Sequence, residues 1–314
     1  VQINIFNISA NTNIVAKTNT KSESYFPRIQ WTNNSNQLFV QRLNRHQNHL
    51  ELLSINPFNG DGELIHTEKS STYIDIHDNL TFYENDAYFL WTSEKSGFNH
   101  IYLYNIKGKE IRQVTKGNWE VTEFYGFNQK TKTLYYQSTE RSPLQRDIYA
   151  INVFGRKKKL LSPDPGWNSA KFSKNYQYFI NTHSSANTPN VISLYNHKGQ
   201  EQRIIKNSEK LLEKLENYHL SEKQFFNFRT EQDHILNGWI MKPPDFDENK
   251  KYPVLMYVYG GPGSQTVKDS WGGNYMWFQM LCQKGYVIVS VDNRGTGGRG
   301  SSFKKCTYKE LGKL

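Results

Sequence analysis

The sequence predicts a β-rich repeat region followed by a smaller mixed α/β region, and three observations lead to this fold class. Aromatic residues make up 14% of the 314 residues, and aromatic and β-branched residues are typical of strands. Four segments of similar layout recur between residues 38 and 200. Beyond residue 221, strand-like apolar runs alternate with helix-like runs, which is the element order of an open, mostly parallel sheet.

Each repeated segment has an aromatic-rich strand, a polar loop, an alternating second strand and a turn carrying Gly or Asn. The segments begin at Leu38, Tyr88, Leu134 and Tyr178. Equivalent positions in the second strands are spaced 51, 47 and 44 residues apart, and these positions are Leu50, Ile101, Ile148 and Ile192. Propeller blades repeat at roughly 40 to 50 residues. Strand candidates between the segments, such as EVTEFYGF, complete about four strands per repeat. We therefore predict a partial β-propeller of about four blades in residues 1–207.

Residues 208–220 are predicted to be a connector, because Leu211, Leu212 and Leu215 have helical spacing with charges between them. A mixed α/β domain is predicted from residue 221 to residue 314. It opens with a hairpin, FNFRT and ILNGWIM, followed by VLMYVY. That run is apolar throughout and predicts a strand in the middle of a sheet covered on both faces.

Two helices and one more strand complete the predicted α/β domain. The run WFQMLCQK has helical spacing and ends before Gly285, which is a typical helix stop. VIVSV follows as a second buried strand, and SFKKCTYKELGKL is predicted to begin another helix.

Three glycines after VIVSV spell G-x-G-x-x-G, at Gly295, Gly297 and Gly300. A dinucleotide-binding loop needs its first glycine directly after the strand, but Asp292 and Arg294 fall in the intervening residues. We favour a structural loop, with these two charged residues holding it locally, over a cofactor site.

A second glycine-rich loop, YGGPGSQ, begins at Tyr259 directly after the apolar strand. In α/β-hydrolases, the loop after an early strand contributes to the oxyanion hole. A tyrosine hydroxyl held there could donate a hydrogen bond to the anion of an acyl-transfer intermediate. Tyr259 is therefore the candidate catalytic residue, the alternative being an aromatic that merely ends a strand.

Composition limits the other classes of function. The net charge is +10, but the only tight basic run, residues 156–159, falls at a predicted hairpin tip, so a solvated turn is favoured over nucleic-acid binding. No 18-residue apolar run could span a membrane. Cys282 and Cys306 are too few for a zinc site and are expected to be free thiols rather than a disulfide. Neither a metal nor an organic cofactor is expected.

Taken in order, KKYPVLMYVYGGPGSQ, the tryptophan-containing helix region and GYVIVSVDNRGTGGRG resemble the start of the catalytic domain of the prolyl oligopeptidase superfamily of serine peptidases. The dipeptidyl peptidase IV branch is the most similar. SEKSGFNHIYLY and QVTKGNWEV resemble later propeller blades of that branch. The resemblance covers nearly the whole chain and implies a propeller followed by the N-terminal part of an α/β-hydrolase domain.

The resemblance also implies an activity and its residues. Family members release N-terminal dipeptides, usually after Pro or Ala, with a Ser, Asp and His triad, and the tyrosine that matches Tyr259 stabilises the oxyanion. No G-x-S-x-G occurs in this sequence, and the family places the triad after this segment and its amine-binding glutamates before it. We therefore expect a piece of a larger protein that is inactive alone, and we assign none of its histidines, such as His77, His100 or His183, to the triad.

Two alternatives stay open at this point. One is another peptidase of the superfamily, acylaminoacyl or endo-acting, and the other is a non-catalytic propeller that binds partners. By resemblance, we expect a peptide substrate, a homodimer in the full-length protein, and a periplasmic, secreted or cell-surface location.

Overall fold

The computed structural model of the protein describes residues 2–19 and 23–313, whose regular structure is mostly β-strand. The chain separates into two compact units. The first holds Val1–Lys116, Gln129–Thr133 and Val153–Arg156, and the second holds Gly117–Asn128, Leu134–Asn152 and Lys157–Leu314.

The first unit contains a hairpin and two four-stranded antiparallel sheets, in which strands that follow one another in the chain are neighbours. The hairpin consists of β1 (Asn4–Asn7) and β2 (Thr12–Val15). The first sheet consists of β3 (Ser24–Trp31), β4 (Leu38–Asn44), β5 (His49–Ile55) and β6 (Gly62–Lys69). The second consists of β7 (Thr81–Tyr83), β8 (Tyr88–Ser93), β9 (His100–Asn105) and β10 (Glu110–Gln113).

Aromatic side chains from these two sheets pack against one another. Phe39 on β4 meets Phe82 on β7 edge to face, with ring centroids 4.8 Å apart. Phe89 on β8 stacks on Tyr104 of β9 at 5.2 Å, and all four residues are almost fully buried. One four-stranded sheet cannot bury both of its faces alone, so stacked neighbours supply the core that the repeats were predicted to need.

The second unit contains most of the third four-stranded sheet, all of the fourth, and a mixed sheet. The third sheet consists of β11 (Val121–Asn128), β12 (Thr133–Ser138), β13 (Asp147–Asn152) and β14 (Lys159–Leu160). The fourth consists of β15 (Trp167–Phe172), β16 (Tyr178–Ser184), β17 (Val191–Asn196) and β18 (Glu201–Lys206). Both sheets keep chain order, as in the first unit.

The predicted repeat positions coincide in the structure. Each of the four aligned residues is the second residue of the third strand in its sheet: Leu50 in β5, Ile101 in β9, Ile148 in β13 and Ile192 in β17. Three of them are buried and Ile192 is partly buried. The four antiparallel sheets are therefore consistent with propeller blades.

The rest of the second unit is built around a sheet of order β19-β20-β22-β21. Its elements are α1 (Glu209–Leu215), β19 (Gln224–Arg229), β20 (Ile235–Met241), β21 (Val254–Met256), α2 (Tyr275–Gln283), β22 (Val287–Val291) and α3 (Ser301–Lys304). The sheet was predicted to be mostly parallel, but this is wrong for the described strands: β21 and β22 are parallel, whereas β19–β20 and β20–β22 are antiparallel. Trp239 on β20 and Phe278 on α2 pack in the core beneath this sheet, with ring centroids 5.3 Å apart.

One further expectation for this region is wrong, and one predicted helix is shorter than expected. The apolar run at β21 was predicted to lie in the middle of a covered sheet, but among the described residues β21 pairs only with β22, and Val254 and Met256 are 62% and 60% exposed. The helix predicted after residue 300 is confined to α3, and turns follow it. Thr307 and Tyr308 have low helix propensity, and the φ of 59° at Lys309 is incompatible with a right-handed helix.

Candidate functional site

Tyr259 lies on the loop that follows β21. The amide of Tyr257 donates to the carbonyl of Val289 at 2.8 Å, which extends the pairing of β21 with β22 almost to Tyr259. Tyr259 is 58% exposed to solvent. The ring is therefore not part of an apolar core, and it could meet a ligand.

Residues 259–265, called here the Tyr259 loop, bring the backbone close to the tyrosine ring. A Cβ atom placed on Gly261 would lie 2.9 Å from Cε1 of Tyr259, which is closer than real Cβ atoms approach a neighbour. Glycine at this position therefore lets the ring lie against the backbone of its own loop.

The Tyr259 loop packs against residues 292–300, called here the glycine loop. The amide of Gly263 donates to the carbonyl of Gly295 at 2.7 Å. A Cβ atom on Gly297 would lie 2.9 Å from the carbonyl oxygen of Gly263, so this backbone-to-backbone contact requires a glycine. The glycines identified in the sequence thus serve a contact between two loops.

Asp292 anchors the segment that follows the Tyr259 loop. Its carboxylate accepts hydrogen bonds from the amide of Thr266 at 2.9 Å, the hydroxyl of Thr266 at 2.6 Å and the amide of Val267 at 3.0 Å. The sequence predicted that Asp292 and Arg294 hold the glycine loop locally. Instead, the Asp292 side chain reaches a different loop, and Arg294 accepts a hydrogen bond through its carbonyl from the side chain of Asn293.

The buried carboxylate of Glu120 is hydrogen-bonded to two backbone amides of the glycine loop. Oε1 of Glu120 accepts from the amide of Gly300 at 2.6 Å, and Oε2 accepts from the amide of Gly298 at 3.2 Å. Glu120 lies just before β11, where its own amide and carbonyl are both bonded to Thr139. In a dinucleotide-binding loop, such amides face a pyrophosphate. Here they face a protein carboxylate, which supports the structural interpretation of these glycines.

Arg146 ties the end of the Tyr259 loop to the start of β13. Its Nη2 donates to Oε1 of Gln265 at 2.8 Å, and its Nη1 donates to the carbonyl of Pro143 at 3.1 Å. Gln265 in turn donates to the same Pro143 carbonyl at 2.8 Å. Burial lowers the pKa of Arg146 to about 10, and the Glu120 carboxylate opposes that shift, so Arg146 stays cationic at neutral pH.

Sequence reasoning identified Tyr259, Asp292 and the glycines but missed Glu120 and Arg146. Glu120 is separated from its two amide partners by 178 and 180 residues, so no local spacing could link them. Both residues are almost fully buried in the structure, but a single charged residue in a sequence gives no sign of its burial.

The other predicted residues lie elsewhere. His100 and His183 are on β9 and β16, where they contact Thr115 and the Pro165 carbonyl, and His77 lies against the Trp91 ring. The basic run 156–159 is exposed at the turn from β13 into β14, and its last residue, Lys159, begins β14. Cys282 and Cys306 are both free, which confirms the expected thiols.

Metal-binding clusters and membrane-spanning helices are both absent from residues 2–19 and 23–313. No group of three or more His, Cys, Asp and Glu side chains in these residues could hold a metal ion. No helix within them has the length and apolar character needed to cross a bilayer.

Comparison with known proteins gives a consistent result. Residues 1–190 match the family model described as the dipeptidyl peptidase IV N-terminal region. The whole chain is 30% identical to dipeptidyl peptidase 4 of Trichophyton rubrum over 333 residues, and it covers 42% of that protein. Over 72% of its length it is 34% identical to dipeptidyl peptidase 4 of Arthroderma otae, covering 30% of that relative.

A crystal structure gives the same answer. The chain superposes on dipeptidyl peptidase 4 of Porphyromonas gingivalis with a TM-score of 0.93 and 40% identity, covering 99% of this chain and 44% of that one. The chain thus spans less than half the length of the relatives it matches. On the family model and on these full-chain similarities, the protein belongs to the dipeptidyl peptidase IV family.

Proposed function

We propose that this chain is part of a serine peptidase that releases N-terminal dipeptides, after Pro or Ala, through an acyl-enzyme intermediate. Membership of the dipeptidyl peptidase IV family supports the reaction class. The observation that carries the proposal within this chain is the exposed phenol of Tyr259, on a loop tied down at Gly263 and Gln265.

We assign residues 1–207 to propeller blades, 208–220 to a connector and 221–314 to the first part of an α/β-hydrolase domain. The parallel pair of β21 and β22, with helix α2 between them in the chain, supports the last assignment. In α/β-hydrolases, a loop after an early strand contributes to the oxyanion hole, and the Tyr259 loop follows β21 in the same way.

In the proposed reaction, a serine hydroxyl attacks the carbonyl carbon after the second residue of the peptide and passes its proton to a histidine. The carbonyl oxygen becomes an oxyanion, and the Tyr259 hydroxyl donates a hydrogen bond to it. Collapse of this intermediate expels the amine, which takes the proton from the histidine, and water then hydrolyses the acyl-enzyme. Fixed donors stabilise such an oxyanion without having to reorganise during the reaction.

The rest of the full-length enzyme supplies the other parts. The triad and the groups that bind the substrate amine lie outside this segment, and no organic cofactor or metal takes part. We further propose a homodimeric enzyme in the periplasm, at the cell surface or outside the cell.

The test is hydrolysis of a chromogenic Gly-Pro dipeptide by the full-length enzyme. Tyr259→Phe should lower kcat about a hundredfold or more, because one oxyanion donor is lost. Tyr218→Phe is the matched control, since Tyr218 is similarly exposed, at 62%, but lies far along the chain near α1. An unchanged kcat in Tyr259→Phe removes this residue from the mechanism.

The 314-residue chain alone should show no turnover of the same substrate, because its sequence contains no nucleophile elbow. Measurable hydrolysis by the purified chain would contradict the proposed division of roles.

A further inference from the structure

We propose that Glu120 is a positioning residue for the oxyanion donor: its carboxylate fixes the glycine loop, which in turn fixes Tyr259. This inference rests on the role proposed above for Tyr259 and adds to it a residue from the blade region of the chain. Glu120 itself does not touch the substrate.

Glu120 holds the glycine loop through two hydrogen bonds. Its two carboxylate oxygens each accept one backbone amide, from Gly300 and Gly298, and the residue is only 6% exposed. Hydrogen bonds to an ionised group are shorter and about twice as strong as neutral ones. The backbone of Glu120 is itself bonded twice to Thr139, the residue that follows β12. The carboxylate is therefore carried by a residue whose backbone is fixed where β11 begins and β12 ends.

The glycine loop, in turn, fixes the position of the Tyr259 loop through backbone contacts. The glycine loop accepts the amide of Gly263 at Gly295, and Gly297 lies against the carbonyl of Gly263. These are contacts between backbones, which cannot adjust by changing a side-chain rotamer. A shift of the glycine loop therefore moves Gly263, which is four residues from Tyr259.

The Tyr259 loop is also held at its far end, by a contact that does not involve Glu120 directly. Arg146 holds Gln265, at the far end of the Tyr259 loop, and its guanidinium lies 4.4 Å above the Trp167 ring. Gln265 is held by Arg146 rather than by Glu120, so loss of the Glu120 hydrogen bonds should shift the loop without unfolding it. A displacement of about 1 Å at a reacting group can cost up to a hundredfold in rate.

The experiment is a double-mutant cycle in the full-length enzyme. Glu120→Gln keeps the size of the side chain but presents an NH₂ group to one of the two amides. We expect kcat for the Gly-Pro substrate to fall about tenfold with little change in KM. In the Tyr259→Phe background, where the donor is already absent, the same substitution should change kcat less than about twofold. Glu123→Gln, on β11 and exposed, is the matched control and should leave kcat unchanged.

Each outcome separates this inference from the proposed function. Equal loss from Glu120→Gln in both backgrounds indicates a general structural role and overturns the positioning role. No loss in either background overturns it as well. If the Tyr259→Phe enzyme is fully active, the proposed role of Tyr259 is wrong, and this result does not depend on the effect of Glu120→Gln.

A second measurement needs no variant. Amide hydrogen exchange in the wild-type enzyme should show the Gly298 and Gly300 amides protected to the same degree as those of the neighbouring strand β22. Rapid exchange at both glycines would mean that the carboxylate does not hold them, and the inference would be wrong even if Glu120→Gln failed to fold.

Discussion

Gly261 leaves space for the ring of Tyr259 within one loop: a methyl group on the Cα of Gly261 would lie 2.9 Å from Cε1 of the tyrosine ring. The ring is otherwise open to solvent, at 58% exposure. A side chain at position 261 would therefore displace the tyrosine ring from its present position.

Replacing this glycine should move the phenol without unfolding the protein. Gly261→Ala forces the ring to shift, so we expect kcat of the full-length enzyme to fall about tenfold. Gly272→Ala is the control, because a Cβ atom at Gly272 meets nothing within 4 Å. Steady-state kinetics with the Gly-Pro substrate checks the prediction, and equal kcat in the two variants would refute it.

Asp292 should matter to stability as well as to geometry. Asp292→Ala leaves three donors on Thr266 and Val267 without their acceptor. Because these donors are partly or fully buried, we expect a loss of about 3 kcal/mol in the free energy of unfolding. Asp164→Ala, at an exposed position, should change it by less than about 0.5 kcal/mol. Denaturant titration measures both, and a negligible effect of Asp292→Ala would show that water replaces the carboxylate.

Lys223 should make stability depend on pH. Burial lowers the pKa of its ammonium from 10.5 to about 8, and the Asp269 carboxylate opposes the shift. Below pH 8 both the folded and unfolded chains carry this proton, and the folded state bears the cost of a buried cation. Between about pH 8 and 10.5 the unfolded state binds more protons, so the free energy of unfolding rises with pH in this window.

The matching variant is Lys223→Met, which removes the ammonium that lies 5.1 Å above the Trp239 ring and keeps an unbranched apolar side chain. It should be more stable than the wild type at about pH 7, by at most about 3 kcal/mol, and this advantage should shrink as pH rises towards about 10. Lys210→Met, on the exposed side of α1, serves as the control. An advantage that does not change with pH would exclude titration of Lys223 as its cause.

The two thiols should react at different rates. Cys282 is 1% exposed, and burial raises the pKa of its thiol, whereas Cys306 is only partly buried. The thiolate is the reactive form, so N-ethylmaleimide should modify Cys306 in the native protein and Cys282 only after denaturation. Peptide mass spectrometry distinguishes the two sites, and native labelling of Cys282 would show that the core beneath α2 opens readily.

The repeats were predictable because each is encoded locally. Hairpins such as β4–β5 and β8–β9 bring together residues close in the chain, and their alternation of apolar and polar residues is visible in any short window. The aligned residues Leu50 and Ile101 accordingly fall at the same place in their sheets.

Contacts between distant segments were not predictable in the same way. Asp292 was expected to act within its own loop but bonds to Thr266, 26 residues away, and Glu120 bonds to glycines 178 and 180 residues away. Nor does an apolar run specify its place in a sheet: Val254 and Met256 indicated a central strand, but they lie on an edge among the described residues.

The carboxylate of Glu120 already fills the amide cradle at Gly298 and Gly300. A phosphate ester from solution would have to displace the Glu120 carboxylate from these two amides. Because the carboxylate is part of the same chain, its local concentration beside the amides is higher than a dissolved ligand can reach. Nucleotides should therefore neither activate nor inhibit an enzyme built on this chain through that loop, despite a glycine spacing that looks suited to them.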